Sequence, residues 1–214
     1  NIDLKGIEHL GTLYDAIVNE LVLKVEYQGF KSDESFELTF HPHFLKQYNN
    51  RWFAFGLNEE FEIPTWNLAL DRIQKIDQIQ GDYIHPEIDW NEYFFDIIGV
   101  TRPDEGKVEK VVLEFTNEQA PYIITKPLHP TQKHEWKDEK LIVAIKVIPN
   151  YELESLILSF GEKGKVLEPK SLRDKIQKRY DSAKGLEKRY IEYLFDSNIT
   201  YVGIDKPVGG ELNF

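Results

Sequence analysis

At residue 21 the spacing of apolar residues changes from helical to alternating, and this switch constrains the fold more than any other feature of the chain. Before it, Ile7, Leu10, Tyr14, Ile17 and Val18 recur at three- and four-residue steps, which predicts an amphipathic helix over 6–20. After it, Leu21, Leu23, Val25 and Tyr27 alternate with Val22, Lys24 and Glu26, the pattern of a half-buried strand. The run 28–33 is a turn-rich break, and Phe36, Leu38 and Phe40 begin a second strand that completes a hairpin. His41-Pro42-His43 is expected to end it, with 44–48 as a capping turn and Asn49-Asn50 as a tight turn. A third strand covers 51–57, and two more cover 63–68 and 70–79. Five short strands within about 60 residues favour a small closed barrel, because closure removes exposed sheet edges.

Gly81, Pro86, Gly99, Pro103 and Gly106 punctuate a connector over 81–107, yet its middle, 93–98, is too apolar for a free linker and is expected to pack on one or both neighbours. A second pattern starts at 108. It reads as a strand to Phe115, a helix capped by Asn117 and running through Ile124, a hairpin of 132–136 with 141–148, and a helix over 151–160 stopped by Gly161. A short strand at Val166-Leu167 and a long charged helix from Pro169 to about Tyr190 follow. The order β-α-β-β-α-β-α suits helices packed on one face of an antiparallel sheet. The domain division is therefore an N-terminal helix (1–20), a barrel (21–80), the connector (81–107), an α+β domain (108–190) and an unassigned tail (191–214).

Composition narrows the function. The 214 residues include 13 Phe, 11 Tyr and 4 Trp, enough for real cores. No cysteine is present, which removes disulfides and thiolate metal sites and makes the cytoplasm the expected compartment. No apolar run is long enough to span a membrane. A net charge of −11 opposes broad contact with duplex DNA. The stretch from Lys163 to Arg189 holds ten Lys/Arg against four Asp/Glu, a basic run that reads either as a solvated helix face or as a patch for an acidic partner. Phosphate loops, nucleophile elbows and zinc-protease motifs are absent, so no enzyme activity and no cofactor are expected. His41-Pro42-His43 and His129 with His134 lack the converging ligands a zinc site needs.

The stretch 21–79 resembles a WYL domain through Val25-Glu26-Tyr27, His41-Pro42 before Leu45, Arg51-Trp52-Phe53-Ala54 and Leu70-Asp71-Arg72-Ile73. Residues 108–180 resemble the C-terminal extension that often follows such a domain. Here the likeness lies in 112–115, the Leu128-His129-Pro130-Thr131-Gln132 turn, 156–161 and Val166-Leu167-Glu168-Pro169 before Leu172-Arg173. The resemblance implies an α+β chain: a small SH3/Sm-like five-stranded β-barrel followed by a ferredoxin-like α+β domain. It further implies the sensing part of a bacterial transcriptional regulator, usually a homodimer, whose barrel binds a nucleotide, a single-stranded nucleic acid or another anionic effector. Duplex DNA would be held by a helix-turn-helix domain expected upstream of Asn1, in keeping with the missing initiator methionine; no membrane is involved. An oligomerisation or scaffold module without a small ligand is the alternative.

The candidate ligand residues are Arg72, Trp52, Trp66, Tyr27, His41 and Arg51. Arg72 offers a fork of donors for phosphate or carboxylate, unless Asp71 or a nearby glutamate claims it. Trp52 and Trp66 are stacking surfaces or core residues. Tyr27 and His41 are hydrogen-bonding groups or buried, satisfied ones; Arg51 is an anion contact or a solvated strand end. The family's naming triplet is Trp-Tyr-Leu, whereas this chain has Trp52-Phe53-Ala54, and Trp66 and Ala69 stand where arginines are usual. The implied effector leans on stacking more than on charge.

Overall fold

The computed structural model describes residues 4–196, with side chains through 186. Helix α1 (Glu8–Val18) leads into strands β1 (Val22–Tyr27), β2 (Phe36–Tyr48), β3 (Arg51–Asn58), β4 (Ile63–Ala69) and β5 (Ile73–Ile79). They form one antiparallel sheet in the order β4-β3-β2-β1-β5. Strands β4 and β5 lie at opposite edges, yet a single 3-10 turn, Leu70–Arg72, joins them. A three-residue link between opposite edges requires the sheet to curl on itself, which gives the expected barrel. Leu23, Val25, Leu38, Phe40, Ala54, Leu68 and Leu70 fill its core.

Helix α1 contributes Leu13 and Ala16 to that core, whereas Tyr14 and Val18, expected on the buried stripe, face solvent. A stripe of 10, 13, 16 and 17 fits the helical period equally well, and contact with the barrel selects it. The helix is held close at its start. Gly6 takes φ +80°, and a Cβ there would collide with the backbone of Leu70 and Asp71.

The second strand differs from expectation. It does not end at His41-Pro42-His43 but runs on through Tyr48, where a capping turn was expected. A bulge between Pro42 and Phe44 absorbs His43, and this is how a residue without an N–H sits inside a sheet. Gly56 faces the bulge because a Cβ there would strike the His41 carbonyl. Asn49 and Asn50 take φ of 46° and 58°, the left-handed pair of a tight hairpin turn.

Helix α2 (Trp90–Phe95) lies in the connector, capped by Asp89, whose carboxylate accepts from the Asn91 and Glu92 amides. Trp90, Phe94, Ile97 and Val100 share a third core with Phe55 of β3 and Ile148 beyond the next sheet, so the connector packs on both sides.

The second sheet comprises β6 (Glu109–Phe115), β7 (Lys133–Lys137), β8 (Lys140–Val147) and β9 (Gly164–Glu168). Its antiparallel order, β7-β8-β6-β9, is the ferredoxin-like arrangement. Helices α3 (Ala120–Thr125), α4 (Tyr151–Ser159) and α5 (Lys170–Asp196) complete it. Val111, Leu113, Phe115, Val143, Ile145, Leu153, Ile157, Leu172 and Ile176 form its core. Asn117 does not cap α3; Gln119 takes that position, and Pro121 sits in the first turn, where its missing N–H costs nothing. Asn150 caps α4 by accepting from the Leu153 amide at 2.9 Å, and Gly161 follows at φ +56°. Helix α5 runs past the expected end at Tyr190, so part of the unassigned tail is helical; residues 197–214 lie outside the described residues.

Candidate functional site

The 3-10 turn between β4 and β5 determines where the charged candidates go. Leu70 points into the barrel core, so Asp71 and Arg72 are left at its rim. Asp71, with a side chain 8% exposed, pairs with Arg51 at the start of β3, Nε to Oδ2 at 2.9 Å. Asp71 thus holds Arg51 rather than its neighbour Arg72. The Arg72 guanidinium lies 4.2 Å from the centroid of the Phe30 ring, and Arg51 lies 5.7 Å from the same ring. Phe30 itself is 69% exposed. The loop that carries it is anchored where the Gln28 amide donates to the Arg72 carbonyl at 3.1 Å, and it turns where the Ser32 amide donates to Gly29.

Among the described residues the Arg72 side chain makes no hydrogen bond and no ion pair, and its Nε is buried without a partner. A half-buried guanidinium without a counter-ion is costly, and a cation–π contact worth roughly 0.5–1 kcal/mol at exposed sites offsets little of that. An anion at this point would supply the missing acceptors. A planar ring could take the position Phe30 now holds.

The other candidates divide. Tyr27 is buried in the barrel core, and its hydroxyl accepts from the Ala69 amide at 3.4 Å. His41 is 1% exposed with both ring nitrogens engaged. The Ile84 amide donates to Nδ1 at 3.1 Å, which places the proton on Nε2, facing Glu59 at 3.2 Å. Trp52 is half-buried against the barrel core. Trp66 is also half-buried, with Nε1 unpartnered, and Phe61 stacks on it at 5.6 Å and 23°. Arg51, Asp71, Arg72 and Phe30 therefore come together, whereas His41 serves the link to the connector.

Sequence reasoning missed Phe30 and the role of Asp71. The signal for Phe30 was present, since a lone aromatic in the polar run Gln28-Gly29-Phe30-Lys31-Ser32-Asp33 has no core to join. Part of the basic run is also committed: Lys175 and Arg179 hold the buried Glu154 at 2.5 and 3.1 Å. Among the described residues no three His, Asp or Glu side chains gather as a metal ion would need, and no helix is long and apolar enough to cross a membrane.

Family models match two parts of the chain, the WYL domain over residues 8–78 and the WCX domain over residues 107–183. Together these cover more than half of it. The chain belongs to the WYL-domain family. The WYL match begins at the first residue of α1, in keeping with the packing of that helix into the barrel. No curated protein matches the chain. Among solved structures it is similar to proteasome accessory factor B/C (PafBC) of Arthrobacter aurescens, at 17% identity and a TM-score of 0.36, covering 86% of this chain and 27% of that one. It is also similar to a CRISPR Cas-related protein, at 11% identity and a TM-score of 0.51, covering 87% of this chain and 54% of that one. The WYL chain thus spans no more than about half the length of either structure, and the second likeness is one of fold.

Proposed function

We propose that this WYL–WCX chain is the effector-sensing part of a transcriptional regulator, with Arg72 as the anion-binding group and Phe30 as a displaceable cover. The observation that carries this reading is the uncompensated Arg72 guanidinium beneath an exposed aromatic ring. A nucleotide, or the end of a single-stranded nucleic acid, brings both an anion for the guanidinium donors and a flat ring to take the place of Phe30. Arg51, already neutralised by Asp71, adds a second stacking surface more than a second charge. Trp66, under Phe61, offers a further platform of the same design. No reaction is proposed.

The same turn supplies a route for the signal. Gly6 rests on the Leu70–Asp71 backbone, and His9 Nε2 lies 3.2 Å from the Ile73 carbonyl. A shift of the turn when Arg72 takes a ligand therefore moves α1, the element leading towards an upstream DNA-binding domain, through which duplex DNA would be held. Such a switch works only if the effector binds one arrangement better than the other.

Titration of the chain with short single-stranded DNA and RNA and with cyclic nucleotides, followed by tryptophan fluorescence, tests the reading. The expected result is saturable binding that Arg72→Ala weakens at least about tenfold, or about 1.4 kcal/mol. Equal binding by both proteins would remove Arg72 from the site.

A homodimer is proposed through α1. Ile7, Tyr14 and Val18 are exposed along one side, with Gly11 open between them. The aromatic connector is the weaker choice, because Trp90 and Phe94 are consumed within the chain. Sedimentation should show self-association that Tyr14→Glu abolishes; a strict monomer at all concentrations would end this part of the proposal and leave the effector site standing.

A further inference from the structure

The helices of the ferredoxin-like domain lie on one face of its sheet, where Val111, Leu113, Val143 and Ile145 pack with Leu153, Ile157, Leu172 and Ile176. The alternate residues of the same strands point to the opposite, open face. Register sets them in rows across it. One row takes Lys133, Ala144, Val112 and Glu168, a residue from each strand. The row on one side contains Glu135 and Ile142, and the row on the other side puts Lys110 directly opposite Lys146.

That pairing is unfavourable by itself, because like charges opposite one another on antiparallel strands repel. Lys133 adds to it as the diagonal neighbour of Lys146, two residues along from Ala144. Lys110 reaches Glu168 at 3.7 Å, whereas among the described residues Lys133 and Lys146 form no ion pair. In a chain of net charge −11, this end of the face gathers three cations around one carboxylate.

Lys110 and Lys133 both line a cavity of 300 Å³, at the lower end of the range of about 300–1,000 Å³ usual for ligand sites. The floor is apolar: Val112 is 7% exposed, and Ile142 and Ala144 are half-buried. Exposed Glu135 and Glu168 complete the rim. Among the described residues no Phe, Tyr or Trp lines the cavity, so it offers no stacking surface for a base. The two carboxylates oppose a polyanion. Lysine supplies charge without the fixed fork of an arginine, so selection among monoanions rests on the floor.

We infer that this cavity binds a small aliphatic carboxylate, the head group held between Lys110 and Lys133 and the hydrocarbon body lying over Val112, Ala144 and Ile142. The site is separate from Arg72, and each stands without the other. Occupancy favours the folded second domain, since the four strands that form the floor and rim exist only there.

The test compares isovalerate with isoamyl alcohol, isoamylamine and acetate at pH 7.5, by calorimetry and by methyl spectra of the whole chain. Isovalerate should saturate, with each other probe at least about tenfold weaker. Its binding should shift the methyl resonances of Val112, Ala144 and Ile142. The double variant Lys110→Gln/Lys133→Gln alters only exposed side chains and should weaken isovalerate about tenfold. Lys137→Gln/Lys140→Gln removes the same charge at the β7–β8 turn, outside the cavity, and should leave affinity unchanged, as should Arg72→Ala. No saturable isovalerate binding, equal affinity for acetate or for the alcohol, unchanged affinity in the first double variant, or an equal loss in the second would each overturn the inference.

Discussion

The barrel and the ferredoxin-like domain are both well packed, but they treat their buried polar groups differently. In the second domain such groups are mostly tied. Glu154 is held by Lys175 and Arg179, and Asn150 caps α4 while donating to the Ile98 and Thr101 carbonyls at 2.8 Å each. His129 spends both ring nitrogens, one on Thr131 and one on the Phe95 carbonyl. Among the described residues, eight buried side-chain atoms lack a partner, and five of them belong to the barrel: His43 Nδ1, Asn58 Nδ2, Trp66 Nε1, Asp71 Oδ1 and Arg72 Nε. A satisfied polar network rigidifies a domain, whereas unpaired buried groups leave it less tightly specified. The contrast teaches that the second domain closes most of its buried polar groups on itself, whereas the barrel leaves more of its own unpaired.

The comparison is easiest to break at the cores. Phe40→Ala in the barrel and Phe115→Ala in the second domain each empty a fully buried site and should cost about 3–5 kcal/mol by urea denaturation. A barrel loss below about 1 kcal/mol would mean that its loose polar groups reflect loose packing instead of a ligand site. Next comes Glu154→Gln, expected to cost about 1–3 kcal/mol. Its lower end is favoured because Lys175 and Arg179 can return to water.

Arg72→Ala sharpens the contrast from the other side. Its thermal stability should change by less than about 1 kcal/mol, the worth of a cation–π contact, while anion binding is lost. A loss of several kcal/mol would show that Arg72 is structural.

The smallest effects are those of pH, and both sit at the barrel–connector seam. Burial and the nearby Glu20 push the Tyr83 phenol up to about 12, and its hydroxyl donates to the Pro42 carbonyl at 2.6 Å. The folded chain therefore holds this proton more tightly than the unfolded one. The resulting stability is complete below about pH 10 and is lost as pH rises towards 12. Tyr83→Phe should flatten that alkaline decline in melting temperature. His43 has the opposite sign. Its folded pKa is lowered, so its share of stability is present above about pH 6.5 and is lost as acid protonates the unfolded ring first. His43→Gln should flatten the acid limb.

Much of this architecture was legible before any coordinates. The hairpin turn at Asn49-Asn50, the α4 stripe with Gly161 behind it, and the β-α-β-β-α-β order all depend on local chemistry, and the structure repeats them. The strand break expected at Pro42 failed because a bulge, paired against Gly56, lets the ladder continue around a residue that cannot donate. The α1 stripe was misread because two helical faces carried apolar residues, and only contact with the barrel distinguishes them.

At the candidate site the division is sharper. Local sequence was enough to mark Arg72 as a candidate cation, but it put that residue in a strand over 70–79 where the structure has a 3-10 turn, and it passed over Phe30 in its polar loop. It could not say that the two meet, that Asp71 turns to Arg51, or that His43 is left with an unpaired buried nitrogen. Hydrophobic period and turn residues act over a few positions, so the sequence alone determined most of the elements and their order, but not the full run of β2, the connector helix α2 or the 3-10 turn at 70–72. Partnership between side chains 20 to 42 positions apart depends on sheet register, the bulge and the curl of the barrel. Only the tertiary structure decided which charges are neutralised and which are left unpaired.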